Sequence, residues 1–203
     1  MVGKIFGVSR ARIGIDGPGI TSLVAMYRCP LNCEYCINNP INKYYEYTVE
    51  DLYEKVKIDS LYFDYTGGGI CFGGHEPLLQ QEFLIEFINY VKELGYRWKF
   101  GIETSLNVVL KPDLLDLLDY VIADIKTINP YIYERYTEQS NVLVLMNLKT
   151  IVERDDIEKT IRVPIIPGYV DMEEVEKSKE YLIGLGFKEE ELEIFEYITS
   201  LDD

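Results

Sequence analysis

Arg28-Cys29-Pro30-Leu31-Asn32-Cys33-Glu34-Tyr35-Cys36 sets three thiols within eight residues, in the spacing C-x3-C-x2-C. The run just before it, residues 20–27, is apolar and β-rich, so a buried strand feeds straight into a cysteine loop. Thiolates are the normal ligands of iron–sulfur clusters, and a cubane presents four irons. Three local cysteines leave one iron without a protein ligand, and an open coordination position is what a metal centre needs to bind and activate a substrate. The competing reading is a zinc knuckle or an electron-transfer cluster, with Cys71 or His75 as the fourth ligand. Structural zinc often takes two C-x2-C pairs, and this sequence has one. Cys71 falls in a β-rich run of its own and reads as a small buried side chain.

Outward from the loop, short β-rich runs alternate with longer amphipathic ones. Strands are expected at 20–27, 69–72, 98–103, 120–125, 160–165 and 192–197, and helices at 49–56, 82–94, 112–118, 130–136, 142–152 and 172–185. Thr48, with Asp51 at the third helical position, starts the first helix, and Asn129 followed by Pro130 starts another. Pro112 opens a third, and Gly95 closes the helix over 82–94. Strands separated by helices imply a parallel sheet with right-handed crossovers. The first strand-to-helix turn carries no Gly-x-Gly-x-x-Gly, and polar motifs recur at the C-terminal ends of successive strands. Both features favour an α/β partial (β/α)6 TIM-type barrel over a flat doubly wound sheet. The expected organisation is one domain over residues 1–203.

The formal net charge of −15 argues against nucleic acid, which is bound through clustered Lys and Arg. Residues 1–43 nevertheless carry Lys4, Arg10, Arg12, Arg28 and Lys43 against Asp16 and Glu34, a balance of +3 that leaves −18 for the rest. A basic face beside the cysteines can steer an acidic redox partner; an ordinary solvated acidic surface is the alternative. No apolar run approaches the ~20 residues of a membrane helix, and residues 1–12 show no secretory pattern. The expected location is therefore the cytoplasm, with no membrane partner. There, four cysteines point to metal or redox chemistry rather than disulfides.

Further motifs frame the loop: Gly3-Lys4-Ile5, then Gly14-Ile15-Asp16-Gly17-Pro18-Gly19-Ile20, and later Gly67-Gly68-Gly69-Ile70-Cys71-Phe72-Gly73-Gly74-His75-Glu76. Glu103-Thr104, Asp124-Ile125-Lys126, and Ile161-Arg162 with Pro167-Gly168 follow in order. With the cysteine spacing, they resemble the radical S-adenosylmethionine superfamily and, within it, the glycyl radical enzyme activating enzymes. The resemblance implies a partial (β/α)6 barrel with a [4Fe–4S] cluster on Cys29, Cys33 and Cys36, and S-adenosylmethionine chelated to the unique iron. Tyr35 would pack on the adenine, and the stretch Gly73, Gly74, His75, Glu76 would bring backbone groups to the methionine amino end. Asp124 and Lys126 would contact the cofactor, and Arg162 would take a carboxylate or a substrate carbonyl. Glu103, Thr104 and Asp124 match a monovalent cation site of the pyruvate formate-lyase branch. For each charged residue, an ordinary strand-end role is the alternative.

The implied activity is reductive cleavage of S-adenosylmethionine, followed by hydrogen abstraction from a glycine of a partner glycyl radical enzyme. A flavodoxin or ferredoxin would supply the electron, in an anaerobic or microaerobic host. Two other readings stand beside it: the same chemistry on a ribosomal peptide or small molecule, and a non-enzymatic iron–sulfur carrier or zinc module. The sequence departs from the family pattern at three places. His75 replaces the second glycine of Gly-Gly-Glu, and Thr21 stands where arginine is usual. Ile198 stands where a cofactor-contacting histidine follows the family's tyrosine, and the usual C-terminal extension does not follow. These departures are expected to bear on substrate identity more than on the core chemistry.

Overall fold

The structure, a computed structural model, describes residues 1–39 and 41–197. Its eight strands are β1 (Gly3–Ile13), β2 (Ile20–Met26), β3 (Tyr45–Tyr47), β4 (Gly69–Gly74), β5 (Lys99–Thr104), β6 (Tyr120–Asp124), β7 (Glu158–Ile165) and β8 (Leu192–Glu196). They form one sheet in the order β3-β1-β2-β4-β5-β6-β7-β8. From β2 through β4 to β8 every pairing is parallel, whereas β1 runs antiparallel to both β2 and β3. The six expected strands are thus the parallel ones.

β1 and β3 were not expected, and the reason is local. β1 slips register between Ile5 and Gly7 and again between Ser9 and Arg12, with Ala11 at φ 54°, so no clean two-residue alternation survives. β3 is three residues long and mostly exposed.

Seven helices accompany the sheet: α1 (Val49–Val56), α2 (Ser60–Thr66), α3 (Gln81–Glu93), α4 (Pro112–Leu115), α5 (Pro130–Thr137), α6 (Val142–Val152) and α7 (Met172–Leu185). α1 opens with a full capping box between Thr48 and Asp51, and Asn129 accepts from the amides of Tyr131 and Ile132 at the start of α5. α3 buries Leu84, Phe87, Ile88 and Val91, the i, i+3, i+4, i+7 face of a sheet-packing helix. α4 stops three residues before the expected end because the chain must turn into β6: the Asp119 amide donates to the Phe100 carbonyl at 2.7 Å. Among the described residues, no helix is long and apolar enough to cross a membrane.

Strand alternation divides the core in two. Ile70, Phe72, Phe100, Ile102, Val121 and Ile161 face the helices, where the Phe87 ring meets Phe72 edge-on at 5.8 Å. Cys71, Tyr120 and Ile122 form a smaller core on the other face, with Leu23 against it. That second face is concave. The Tyr120 hydroxyl donates to the Asp16 carbonyl at 2.8 Å, and Arg162 of β7 donates to the Ile15 carbonyl at 3.1 Å, so the β1–β2 turn folds across the sheet. Gly17 and Gly101 make room for Tyr120, since a Cβ at either would lie 2.4 or 2.1 Å from its ring. The sheet curls into a partial barrel whose end strands, β3 and β8, do not pair.

Asp59 links this barrel to its outer layer. Its buried carboxylate accepts from Arg10 at 2.9 and 3.0 Å and from the Ser22 hydroxyl at 2.8 Å. Burial pushes the carboxyl up, but Arg10 and Ser22 together hold it below the usual carboxylate range. A depressed folded value stabilises the protein above the unfolded carboxylate pKa, and that stability is lost as pH falls through the folded value. Asp59→Asn is therefore expected to cost about 2 kcal/mol at neutral pH and progressively less below about pH 4. Urea unfolding at both pH values measures the gap, and a gap of constant size would show that Asp59 carries no such charge-dependent stability.

Candidate functional site

The C-terminal ends of the strands surround a cavity of about 610 Å³, within the range of small-molecule sites. Its wall takes residues from β1, β2 and β4 on one side and from β6, β7 and β8 on the other, as the curled sheet requires. Cys29, Cys33 and Cys36 all line it. The same three also line a second cavity of about 350 Å³ behind the loop, so the thiols stand between two spaces.

The loop after β2 is held by backbone hydrogen bonds at several points. The Asn32 amide donates to the Thr137 carbonyl at the end of α5 (2.9 Å), and the Cys36 amide to the Cys33 carbonyl (3.3 Å). The Leu31 amide lies 3.5 Å from the Cys29 sulfur as a weak donor. Burial pushes the Cys29 thiol up to about 12 and the Cys33 thiol to about 11, so metal binding here must displace protons. Among the described residues, no three His, Cys, Asp or Glu side chains are drawn together as a single-ion site. Cys71 is fully buried in the concave core and lines none of these cavities, and both ring nitrogens of His75 are engaged with backbone. Neither is placed as a fourth ligand for zinc.

Tyr35 faces the cavity, 6.2 Å from the Tyr136 ring and 6.3 Å from that of Tyr169. Gly73 and Gly74 end β4 against neighbouring strands: a Cβ would sit 3.0 Å from Leu23 and 2.9 Å from Ala25, respectively. Glu76 lies on the wall, but its carboxylate is spent internally. Oε1 accepts from the Thr104 hydroxyl (2.6 Å) and the Leu78 amide (3.1 Å), and Oε2 from the Ser105 hydroxyl (2.6 Å) and amide (2.9 Å). Burial raises this carboxyl above its ordinary value while the four donors pull it back. Glu76→Gln, which turns one acceptor into a donor facing donors, is expected to destabilise the fold by about 2 kcal/mol. An unchanged urea midpoint would mean that the four donors find other partners.

Glu103, Thr104 and Asp124, the expected cation group, all line the cavity, and each side chain also has a partner of its own. Glu103 and Thr104 are adjacent on β5 and point to opposite faces. Glu103 pairs with Arg162 at 2.5 Å, Thr104 donates to Glu76, and Asp124 pairs with Lys126 at 2.6 Å. Arg162 also holds Glu193 at 2.8 Å. Burial opposes the Arg162 charge and raises the Glu103 carboxyl, and the pairing between them works against both effects. Lys126, at φ 62°, donates from its ammonium to Asp124 and to the Tyr197 hydroxyl, each at 2.6 Å. Among the described residues, the other Asp124 oxygen, Oδ1, is buried without a partner, as is the Tyr136 hydroxyl in the same cavity. Tyr136, Ser105 and Asn38 were not anticipated, and nothing distinguishes Tyr136 among 17 tyrosines, whereas Tyr197 is the tyrosine that precedes Ile198 in the family pattern. Thr21 is buried in β2, 3.5 Å from the Arg12 carbonyl, and Ile198 lies outside the described residues.

Three thiols on one loop share a cavity of small-molecule size with polar atoms that, among the described residues, have no partner. The family model of the Radical SAM superfamily matches residues 23–182, and the chain belongs to that superfamily, whose enzymes use a [4Fe–4S] cluster and S-adenosylmethionine. Within it the chain is similar to activating enzymes of glycyl radical enzymes. It is 33% identical to the (2S)-3-sulfopropanediol dehydratase activating enzyme of Klebsiella oxytoca over 156 residues, covering 74% of this chain and 48% of that one. It is 32% identical to the pyruvate formate-lyase-activating enzyme of Clostridium pasteurianum over 183 residues, covering 86% of this chain and 73% of that one. The chain spans about half the length of the first of these relatives. Streptococcus suis SuiB, in a crystal structure with its precursor peptide SuiA, shares the fold at a TM-score of 0.64 and 14% identity, covering 86% of this chain and 38% of that one.

Proposed function

We propose that this chain is a cytoplasmic activase that takes a hydrogen atom from a glycine of a partner glycyl radical enzyme. The observation that carries the reading is one cavity lined both by the three thiols of C-x3-C-x2-C and by the wall of Asp124, Lys126 and Arg162. Cys29, Cys33 and Cys36 are the residues to hold a [4Fe–4S] cluster. When bound, the reduced cluster and S-adenosylmethionine supply methionine and a hydrogen-abstracting 5′-deoxyadenosyl radical.

The chain's own residues bind and orient. Asp124 Oδ1 and the Tyr136 hydroxyl, buried and without partners among the described residues, are placed to take polar groups of the cofactor. Lys126 fixes the Asp124 carboxylate, and Tyr35 offers an aromatic face to the adenine. Arg162, at the far wall, can hold a carbonyl of an entering peptide while Glu103 keeps its guanidinium in place.

The test is anaerobic incubation of the reduced, reconstituted protein with S-adenosylmethionine and candidate glycyl radical enzymes, followed by electron paramagnetic resonance of the partner. A glycyl radical signal on the partner is the expected result. Steady 5′-deoxyadenosine formation with every partner radical-free, together with a cross-linked or epimerised peptide, would move the substrate to a ribosomal peptide. Dithionite can replace the flavodoxin or ferredoxin expected as electron donor.

A further inference from the structure

We infer that His75 is a clasp that fixes the shape of the cysteine loop before any metal binds. The inference rests on the reading of that loop as the cluster site. The two ring nitrogens of His75 reach the two ends of the loop. Nδ1 accepts from the Arg28 amide at 3.2 Å, one residue before Cys29. Nε2 lies 3.0 Å from the Asn38 carbonyl, two residues after Cys36. An amide can only donate and a carbonyl can only accept, so these partners require a neutral ring with its proton on Nε2. One side chain thereby spans the segment that carries all three thiols.

The surroundings fit this use. Phe6 and Tyr27 flank the imidazole at 4.9 and 5.8 Å between ring centres and hold its plane. Arg28 adopts φ 84°, a left-handed conformation that a side chain disfavours and that persists only where neighbours determine it. Both of its peptide groups are so determined, because its carbonyl accepts from the Glu76 amide at 2.9 Å while its amide goes to the His75 ring. The other end is tied twice, since Asn38 Nδ2 donates to the Gly74 carbonyl at 2.7 Å. A glycine at position 75 would keep the backbone links but lose both ring bonds. With those bonds, the ordering of the loop is met by the fold rather than at the moment of metal binding, which is the advantage of preorganisation.

The test begins on metal-free wild type, with a long-range proton–nitrogen correlation spectrum of the imidazole well above the ordinary histidine range. An Nε2-protonated ring is expected, and an Nδ1-protonated ring would overturn the inference without any variant. His75→Phe keeps an aromatic ring but neither bond, His75→Asn keeps an acceptor near Nδ1, and His75→Gln keeps a donor near Nε2. In the metal-free protein the Arg28 amide should exchange hydrogen about tenfold faster in His75→Phe than in wild type, with His75→Asn restoring much of the protection. After anaerobic reconstitution, His75→Phe should lose iron to a chelator about tenfold faster, with the other two variants between. Exchange and iron loss both matching wild type in His75→Phe would overturn the clasp. Failure of wild type to take up any cluster would instead defeat the cluster reading, and the exchange data on metal-free protein would still decide whether His75 shapes the loop.

Discussion

Cys33→Ala is expected to reduce 5′-deoxyadenosine formation to background, a loss of at least about a hundredfold, because removing even a supporting contact of a metal ligand costs 10–100-fold. Cys33 is the middle thiol of the loop and the most buried residue of the three, at 9% exposure. It lies where the loop turns inward, and the next anchor before it is the Asn32 amide on the Thr137 carbonyl. With Cys33 gone, the two remaining thiols flank a gap, and a cubane with two unliganded irons has no firm seat. The measurement is product by chromatography after dithionite reduction, beside iron and sulfide content. The alanine keeps the Cβ at the margin of the core, so metal-free thermal unfolding should shift by about 1 kcal/mol or less. That separates lost chemistry from lost fold. A variant that retains full iron and wild-type product formation would remove Cys33 from the site.

The six parallel strands and most helix limits could be read because their signals are local. A fully buried strand such as β4 is an apolar run, and α1 announces its start through Thr48 and Asp51. β1 could not be read that way, since its two register shifts and exposed second half leave no period. The grouping of the cysteines was equally legible, since all three fall within eight consecutive residues and line one cavity. What could not be read was which side chains meet. Glu103, Thr104 and Asp124 sit at adjacent strand ends and line one cavity, but that alternation gives Thr104 to Glu76 and Glu103 to Arg162 is written in no local pattern. Tyr197 reaches Lys126 across 71 positions, a meeting set by the curl of the sheet and by no local pattern.

That Lys126 arrangement yields the second large effect. Lys126 is buried, and burial works against its charge, but the Asp124 carboxylate and Tyr197 together lift its ammonium well above the ordinary lysine range. The ammonium lies 2.6 Å from the carboxylate, so each partner compensates for the other's lost hydration. Lys126→Met fills a similar volume without the charge and strands a carboxylate whose Oδ1 already has no partner among the described residues. The expected cost is about 3–5 kcal/mol in urea unfolding. Adding Asp124→Asn removes the stranded charge, so the double variant should recover most of that loss, a coupling that a double-mutant cycle measures directly. Affinity for S-adenosylmethionine behaves differently under the proposed function. Both variants alter the carboxylate that would receive the cofactor, so equilibrium dialysis should show binding weakened by about tenfold or more in the single variant and again in the double. Stability recovered without binding recovered identifies Asp124 and Lys126 as a ligand site held together by its own charges. A double variant that regains both would make the pair a support of the fold alone, and one that regains neither would show that the cost of Lys126→Met arises elsewhere, in the packing around Tyr197.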